Sequence, residues 1–344
     1  MMVVFHVDAQ SKKKIKLSID SILSKYANPN EPGASVLVLK NNKVVFQKGY
    51  GVSNIKNGDP IKPNSNFRLA SVTKQFTAMS ILLLAQKHKL SLEDPISKYF
   101  SILPPYISNI KIKELLTHSS GLIDYEDLMP ANQKIQLHDT NCFQLMFMAD
   151  SLYFPAGTQY KYSNTGYAIL SLIVEQVSGK PFAQFLKENI FKPLKMKTTI
   201  AFEDGKSTVA NRAFGNSYDQ GNWIQTDQSL TSAVLGDGGI YTNVQEYTKW
   251  IKALWNYQLL DQAQQERAWS KTKLENGTTI DYGYGWHIET FQGITHPFHD
   301  GSSIGFRNSV GLFPEQKLMV IILTNRTEHD PIEEVHKIAA LYLK

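Results

Sequence analysis

The chain has almost none of the covalent and ionic devices that betray a function cheaply. It holds a single cysteine, Cys142, which excludes an internal disulfide and any metal site built from several thiolates. Phe143, Leu145, Met146 and Phe147 surround it in sequence, the setting of a buried structural thiol. No apolar run reaches the length of about 18 residues that a membrane-spanning helix needs. Charge of one sign is scarce too: 36 Lys and Arg against 31 Asp and Glu leave a net +5, scattered along the chain. The densest basic run, Lys12-Lys13-Lys14, reads as a solvated helix start. Without a basic arm interleaved with aromatics, nucleic-acid binding is not expected. GDGGIY at 236–241 is neither G-x-G-x-x-G nor a P-loop, so no nucleotide cofactor is expected.

What is present describes a globular protein. With 42% hydrophobic and 19% charged residues over 344 positions, the chain can bury a large core. IKLSIDSILSKYA, residues 15–27, has apolar positions at helical spacing. ASVLVLK and KVVFQKGYG flank Asn41-Asn42, which predicts a hairpin because asparagine tolerates positive φ. Val72 to Ala85 is apolar nearly all round, a buried helix. IKELLTH, GYAILSLIVEQVSG and PFAQFLKENIF read as further helices in a middle region rich in Pro, Ser and Asn. VQEYTKWIKALW predicts a surface helix, with Asn243 as N-cap and Glu246 completing a capping box. YGYGWHIETF, FRNSVGLF and KLMVIILTN read as strands, and a last amphipathic helix carries Ile332, Val335, Ile338 and Tyr342 on one face.

Strands at both ends with helices between them predict an α/β (α+β) fold. The expected architecture is an antiparallel sheet flanked by helices, built from both chain ends, with a helical subdomain inserted. The sheet-containing region is expected at 15–70 plus 240–344 and the mainly helical region at 71–239. MMVVFHVDAQ has an apolar stretch but no basic leader, so residues 1–14 stand apart as a candidate export-signal remnant.

FRLASVTKQFTA, residues 67–78, carries the first candidate chemistry. S-x-x-K occurs five times: at Ser11, Ser53, Ser71, Ser108 and Ser270. Only Ser71 opens a long buried helix. There Lys74, three residues on, shares a helix face with the hydroxyl. The helix N-terminus offers free N–H groups to an oxyanion, and burial lowers a lysine's pKa toward that of a useful base. On the tetrad alone, Ser71 as a simple cap with Lys74 in solvent is the stronger reading.

Two later triplets change the balance. Tyr162-Ser163-Asn164 and His299-Asp300-Gly301 follow in order, within YSNTGYAIL and HDGSSIGFRN, with LLTHSSGL, GDGGIYTNVQEYTKW and YGYGWHI between or beside them. In this arrangement the chain, from about residue 17 to 340, resembles the serine β-lactamase and penicillin-binding-protein family, most of all its class C-like, esterase and D-peptidase branch. The resemblance implies a β-lactamase/transpeptidase-like domain and an acyl-enzyme hydrolase acting on amide, β-lactam or ester bonds. It makes Ser71 the nucleophile, Lys74 its base, Tyr162 the second member of the proton relay and Asn164 a substrate-binding residue. A tyrosine base needs a depressed pKa, which the lysine ammonium is expected to supply. His299, Asp300 and Gly301 stand where the family has K-T-G or H-x-G. The resemblance implies that His299 joins the catalytic residues and that Asp300, Gly301 and Ser302 join Asn164 in binding substrate, with the N–H of Ser302 as the expected second oxyanion donor. Histidine for lysine and aspartate for threonine weaken carboxylate recognition, since Asp300 would repel a carboxylate if it faced the site. No E-x-x-L-N segment occurs, so the class A deacylation glutamate is missing.

His118 and Arg68 are expected to be structural, with an exposed arginine as ordinary as a positioned one. His296 and His299 spell H-x-x-H, but no third ligand at suitable spacing accompanies them, and on a strand they point to opposite faces. Neither metal nor cofactor is expected. The expected partner is a small-molecule or peptide acyl substrate, met outside the cytoplasm in the periplasm or after secretion. Carboxylesterase, D-aminopeptidase and DD-peptidase activities stay open, as does a non-catalytic penicillin-binding scaffold.

Overall fold

A computed structural model describes residues 3–343. The elements that build the sheet and the site are helix α1 (Val3–Ile22), strands β1 (Ala34–Lys40) and β2 (Lys43–Tyr50), helices α2 (Lys74–Gln86), α3 (Asn164–Ser178) and α4 (Val244–Trp255), strands β3 (His287–Phe291), β4 (Ile294–Ser303), β5 (Phe306–Phe313) and β6 (Leu318–Thr324), and helix α5 (Ile332–Ala340). The six strands form one sheet in the order β3-β4-β5-β6-β1-β2, every neighbouring pair antiparallel. The expected antiparallel sheet drawn from both chain ends is what forms.

The sheet is sandwiched, and the two central strands show why. ASVLVLK and LMVIILT are apolar at nearly every position and buried along nearly their whole length, as strands covered on both faces must be. Leu37, Leu39, Ile321 and Leu323 enter the larger core beneath α2 and α4. Their neighbours Val36, Val38, Val320 and Ile322 pack with Ile19 of α1 and with Val335 and Ile338 of α5. Asn41 and Asn42 both take positive φ, +50° and +62°, as a two-residue hairpin turn demands.

Three local expectations shift. The N-terminal helix spans Val3–Ile22 rather than 15–27, and a 3₁₀ turn at Ser24–Tyr26 follows it. No glycine or proline interrupts residues 3–22, so helix continues through the stretch set apart as a signal remnant; residues 1 and 2 lie outside the described residues. YGYGWHIETF becomes strand only from His287. Gly285, at φ +78°, turns the chain against α2, where a Cβ would sit 2.8 Å from the Lys74 carbonyl oxygen. The α4 cap is half of a capping box: Asn243 accepts from the N–H groups of Gln245 and Glu246, while Glu246 bonds Lys249 instead of reaching back. No described helix is long and apolar enough to cross a membrane.

Candidate active site

Ser71 sits in a 3₁₀ turn, Ala70–Thr73, which hands over to α2 at Lys74. The turn starts from a strained backbone: Ala70 has φ +50°, a conformation costing a side-chain-bearing residue about 1–2 kcal/mol. It is held by its surroundings. The Asn308 side chain of β5 donates to the carbonyls of Arg68 and Leu69 at 2.8 and 3.2 Å. Arg68 is buried, contrary to the reading of an ordinary exposed arginine, and donates to the Ser232 carbonyl at 2.8 Å. Opposite Asn308 in register is Gly301. A Cβ there would meet the Leu69 carbonyl oxygen at 2.1 Å, so only glycine lets β4 pass this close to the serine turn.

Lys74 has no exposed surface. Its Nζ donates to Ser71 Oγ at 3.0 Å, to Asn164 Oδ1 at 2.8 Å and to the Asp237 carbonyl at 3.1 Å. All three ammonium hydrogens therefore have partners, and the alternative of a lysine in solvent is gone. Burial lowers its pKa from 10.5 to about 8, against the pull of Asp237, Asp124 and Glu126 in the opposite direction. About a tenth of such a group is a free amine at pH 7.

Asn164 opens α3, and its backbone N–H donates to Asp124 at 2.7 Å. The strand-like approach through Ser163 puts Tyr162 on the other side of Lys74, with the ammonium nitrogen 4.9 Å from the ring centroid. His118 forms the platform beneath it, stacked at 4.1 Å and 28°. Its Nδ1 accepts the Ser163 N–H at 3.1 Å, and burial and the nearby Lys74 charge push its pKa far down, so the ring is neutral. The Tyr162 phenol departs from expectation: burial pushes its pKa up, and the Ser71 hydroxyl offsets only part of this. The nearby Asp237, Asp124 and Glu126 carboxylates add to the desolvation, since each opposes a phenolate. Its hydroxyl is buried with no hydrogen bond of good geometry, a donor awaiting an acceptor.

His299 and Asp300 alternate across β4. His299 is buried and neutral. Burial depresses its pKa far below 6.5, its Nδ1 donates to the Asp300 carbonyl at 2.6 Å, and Tyr282 Oη donates to its Nε2 at 3.0 Å. Asp300 turns the other way and accepts from Ser309; Glu289, His336 and Asp330 are the charges near it. Asp300 therefore does not join the substrate-binding residues as expected, and its carboxylate is not placed to repel a substrate carboxylate. Gly301 shapes the wall through its missing Cβ, and Ser302 lines the same narrow cleft as Ser71, Asn164, Arg68, Tyr125 and Glu126, about 40 Å³ in volume. His296 and His299 do go to different faces.

Tyr282, Asp237 and Glu126 escaped the sequence reading. Asp237 accepts from Tyr125 Oη at 2.8 Å and presents its carbonyl to Lys74. The turn bearing it, Leu235–Gly238, hangs on Asp139, which accepts the N–H groups of Leu235 and Gly236. GDGGIY and YGYGWHI were visible as segments, but nothing in them marked which side chain or carbonyl faces inward.

The family model described as Beta-lactamase matches residues 19–343. The chain belongs to the Beta-lactamase family. Its members are generally serine hydrolases, and some are non-catalytic. Penicillin-binding protein 4* of Bacillus subtilis (strain 168) is 28% identical over 340 residues, 94% of this chain and 74% of the relative. Protein flp of Staphylococcus aureus (strain MW2) is 29% identical over 308 residues, 86% of this chain but only 59% of flp. Among solved structures, the octameric penicillin-binding protein homologue from Pyrococcus abyssi superposes with a TM-score of 0.82 at 26% identity, covering 96% of this chain and 77% of that one. The D-amino acid amidase from Ochrobactrum anthropi SV3 shares the fold at a TM-score of 0.81 and 24% identity, covering 95% and 98%.

Proposed function

We propose that the chain is an active serine hydrolase that forms an acyl-enzyme at Ser71. The observation that carries this reading is the buried Lys74 Nζ, 3.0 Å from Ser71 Oγ. The neutral Lys74 amine takes the hydroxyl proton as Oγ attacks the substrate carbonyl carbon, and the backbone N–H groups of Ser71 and Ser302 receive the oxyanion. Tyr162, a neutral phenol at working pH, gives its proton to the leaving nitrogen or oxygen and regains one from the Lys74 ammonium. Water then attacks the ester carbonyl, its proton returning along the same path, and frees Ser71. Asn164 holds the substrate amide while its Oδ1 orients Lys74. No step calls for a cofactor.

Within amide, β-lactam and ester substrates, the cleft favours acyl groups that bear an amine or no charge over those that bear a carboxylate. Where the family's third motif has a lysine, His299 is neutral and already bonded to Tyr282. The Arg68 guanidinium is committed to a carbonyl, and Glu126 lines the cleft. This supports the esterase and D-aminopeptidase branch over an efficient penicillinase. The substrates of that family are met mostly outside the cytoplasm, which supports an extracytoplasmic setting.

The test is competitive labelling with a fluorescent penicillin and a fluorophosphonate, with the adduct mapped by mass spectrometry. Fluorophosphonate labelling at Ser71, lost in Ser71→Ala, with weak penicillin labelling, is the expected result. Labelling that persists in Ser71→Ala overturns the nucleophile. A stable adduct with no turnover of p-nitrophenyl esters or D-amino acid amides returns the chain to the scaffold reading.

A further inference from the structure

The face of the β3–β4 hairpin turned away from Ser71 holds a second cluster of chemically capable side chains. Glu289 and His296 are register partners across the hairpin, and His336 reaches them from α5. Glu289 Oε1 lies 3.1 Å from His296 Nε2 and 2.7 Å from His336 Nε2, and the three atoms fall within 4.8 Å of one another. All three atoms are shielded from water without a hydrogen bond of good geometry. His296 has no exposed surface at all.

Both rings are clamped in place. His296 stacks on Phe313 at 4.2 Å and 21°, and His336 on Phe291 at 4.4 Å and 11°. His296 Nδ1 stands 3.3 Å from the Pro297 carbonyl oxygen. In metal sites a backbone carbonyl in that position takes the Nδ1 proton and leaves the Nε2 lone pair facing outward. Such a lone pair set against a carboxylate oxygen repels it unless a cation lies between them. The competing arrangement, each neutral ring donating its Nε2–H to Glu289, fails on geometry: neither N–H would point well at the oxygen, and the His296 Nδ1 lone pair would face the Pro297 carbonyl oxygen.

We propose that Glu289, His296 and His336 form a Zn²⁺ site, two imidazoles and one carboxylate with water as the fourth ligand. In tetrahedral zinc sites ligand atoms stand about 3.3 Å apart, slightly wider than the two contacts to Glu289 at 3.1 and 2.7 Å, so the ion would ease the three atoms apart by a few tenths of an ångström or somewhat more. The ion would tie the edge hairpin of the sheet to the C-terminal helix. Sequence spacing hides such a site because its ligands come from two strands and a helix 40 residues beyond His296.

The full chain, stripped by chelator, is titrated with Co²⁺ and then with Zn²⁺. One equivalent of Co²⁺ should give the visible absorption of a tetrahedral centre, displaced by Zn²⁺, and Zn²⁺ should raise the melting temperature. Glu289→Gln and His336→Gln should each weaken binding at least about tenfold. X-ray absorption of the zinc-loaded wild type, which needs no variant to fold, should show two imidazoles and an oxygen shell. Absence of saturable binding, affinity unchanged in both variants, or fewer than two imidazoles at the zinc overturns the proposal.

Discussion

The two faces of β4 carry histidines in opposite circumstances. On the cleft face, both nitrogens of His299 have partners, one a backbone carbonyl and the other the Tyr282 hydroxyl. On the far face, His296 has a carbonyl near one nitrogen and a carboxylate oxygen shared with a second histidine at the other. One strand, one residue type and near-complete burial thus give a ring closed to further ligands and a ring poised for one. The difference lies in the neighbours: a hydroxyl can supply the hydrogen that Nε2 needs, and a carboxylate cannot. For the cleft this means that the family's cationic position is filled by a neutral, immobilised group, so catalytic charge must come from Lys74.

The sharpest way to break this division of labour is at Ser71. Ser71→Ala should lower kcat/KM about 1,000-fold or more while costing only about 1 kcal/mol of stability, since one Lys74 N–H loses its partner; activity surviving that change would move the chemistry elsewhere. Tyr162→Phe comes next. Turnover should fall about 100-fold, yet the melting temperature should not drop, since the hydroxyl removed is buried without a hydrogen bond of good geometry. A large loss of stability would show that it has one. The pH profile is the third probe. Lys74 must be unprotonated to act, and burial has brought its pKa down to about 8, so kcat/KM should rise about tenfold per pH unit up to about 8 and then level off. A profile flat between pH 6 and 9 would exclude Lys74 as the base. His299→Ala should cost about 1–3 kcal/mol of stability by stranding the Tyr282 hydroxyl. Adding Tyr282→Phe should return part of it, as a double-mutant cycle would measure. Asp300→Asn should be the mildest, leaving KM for a carboxylate-bearing substrate within about twofold, because its side chain faces Ser309. A fall in that KM would put the carboxylate back in the cleft.

Much of the fold was legible because both periodicities were clean. The nearly all-apolar β1 and β6 read as strands covered on both faces, and Asn41-Asn42 specified its turn. Ser71, Lys74 and Tyr162 were legible as a set because their order and flanking segments repeat a family pattern. What escaped depends on desolvation and side-chain direction. The sense of the Tyr162 shift could not be read without knowing that the ring is enclosed by His118, Tyr282 and Lys74. Nor could strand register be read, and it decides that His299 meets Tyr282 beside the catalytic tyrosine candidate while Asp300 meets Ser309. The helical reach of residues 3–14 was masked because their apolar residues cluster in Val3–Val7 and a run of three lysines follows, leaving no apolar stripe at helical spacing like that of the residues beyond.

The pairing of β1 with β6 joins the first strand of the sheet to the last, nearly the whole chain away. During synthesis the β1–β2 hairpin can form early, but one edge of β1, an apolar strand with open amides and carbonyls, stays bare until the final strands arrive. Such late closure is slow and leaves the nascent protein open to edge-to-edge association. Truncations short of β6 should therefore accumulate as aggregates rather than as smaller folded domains.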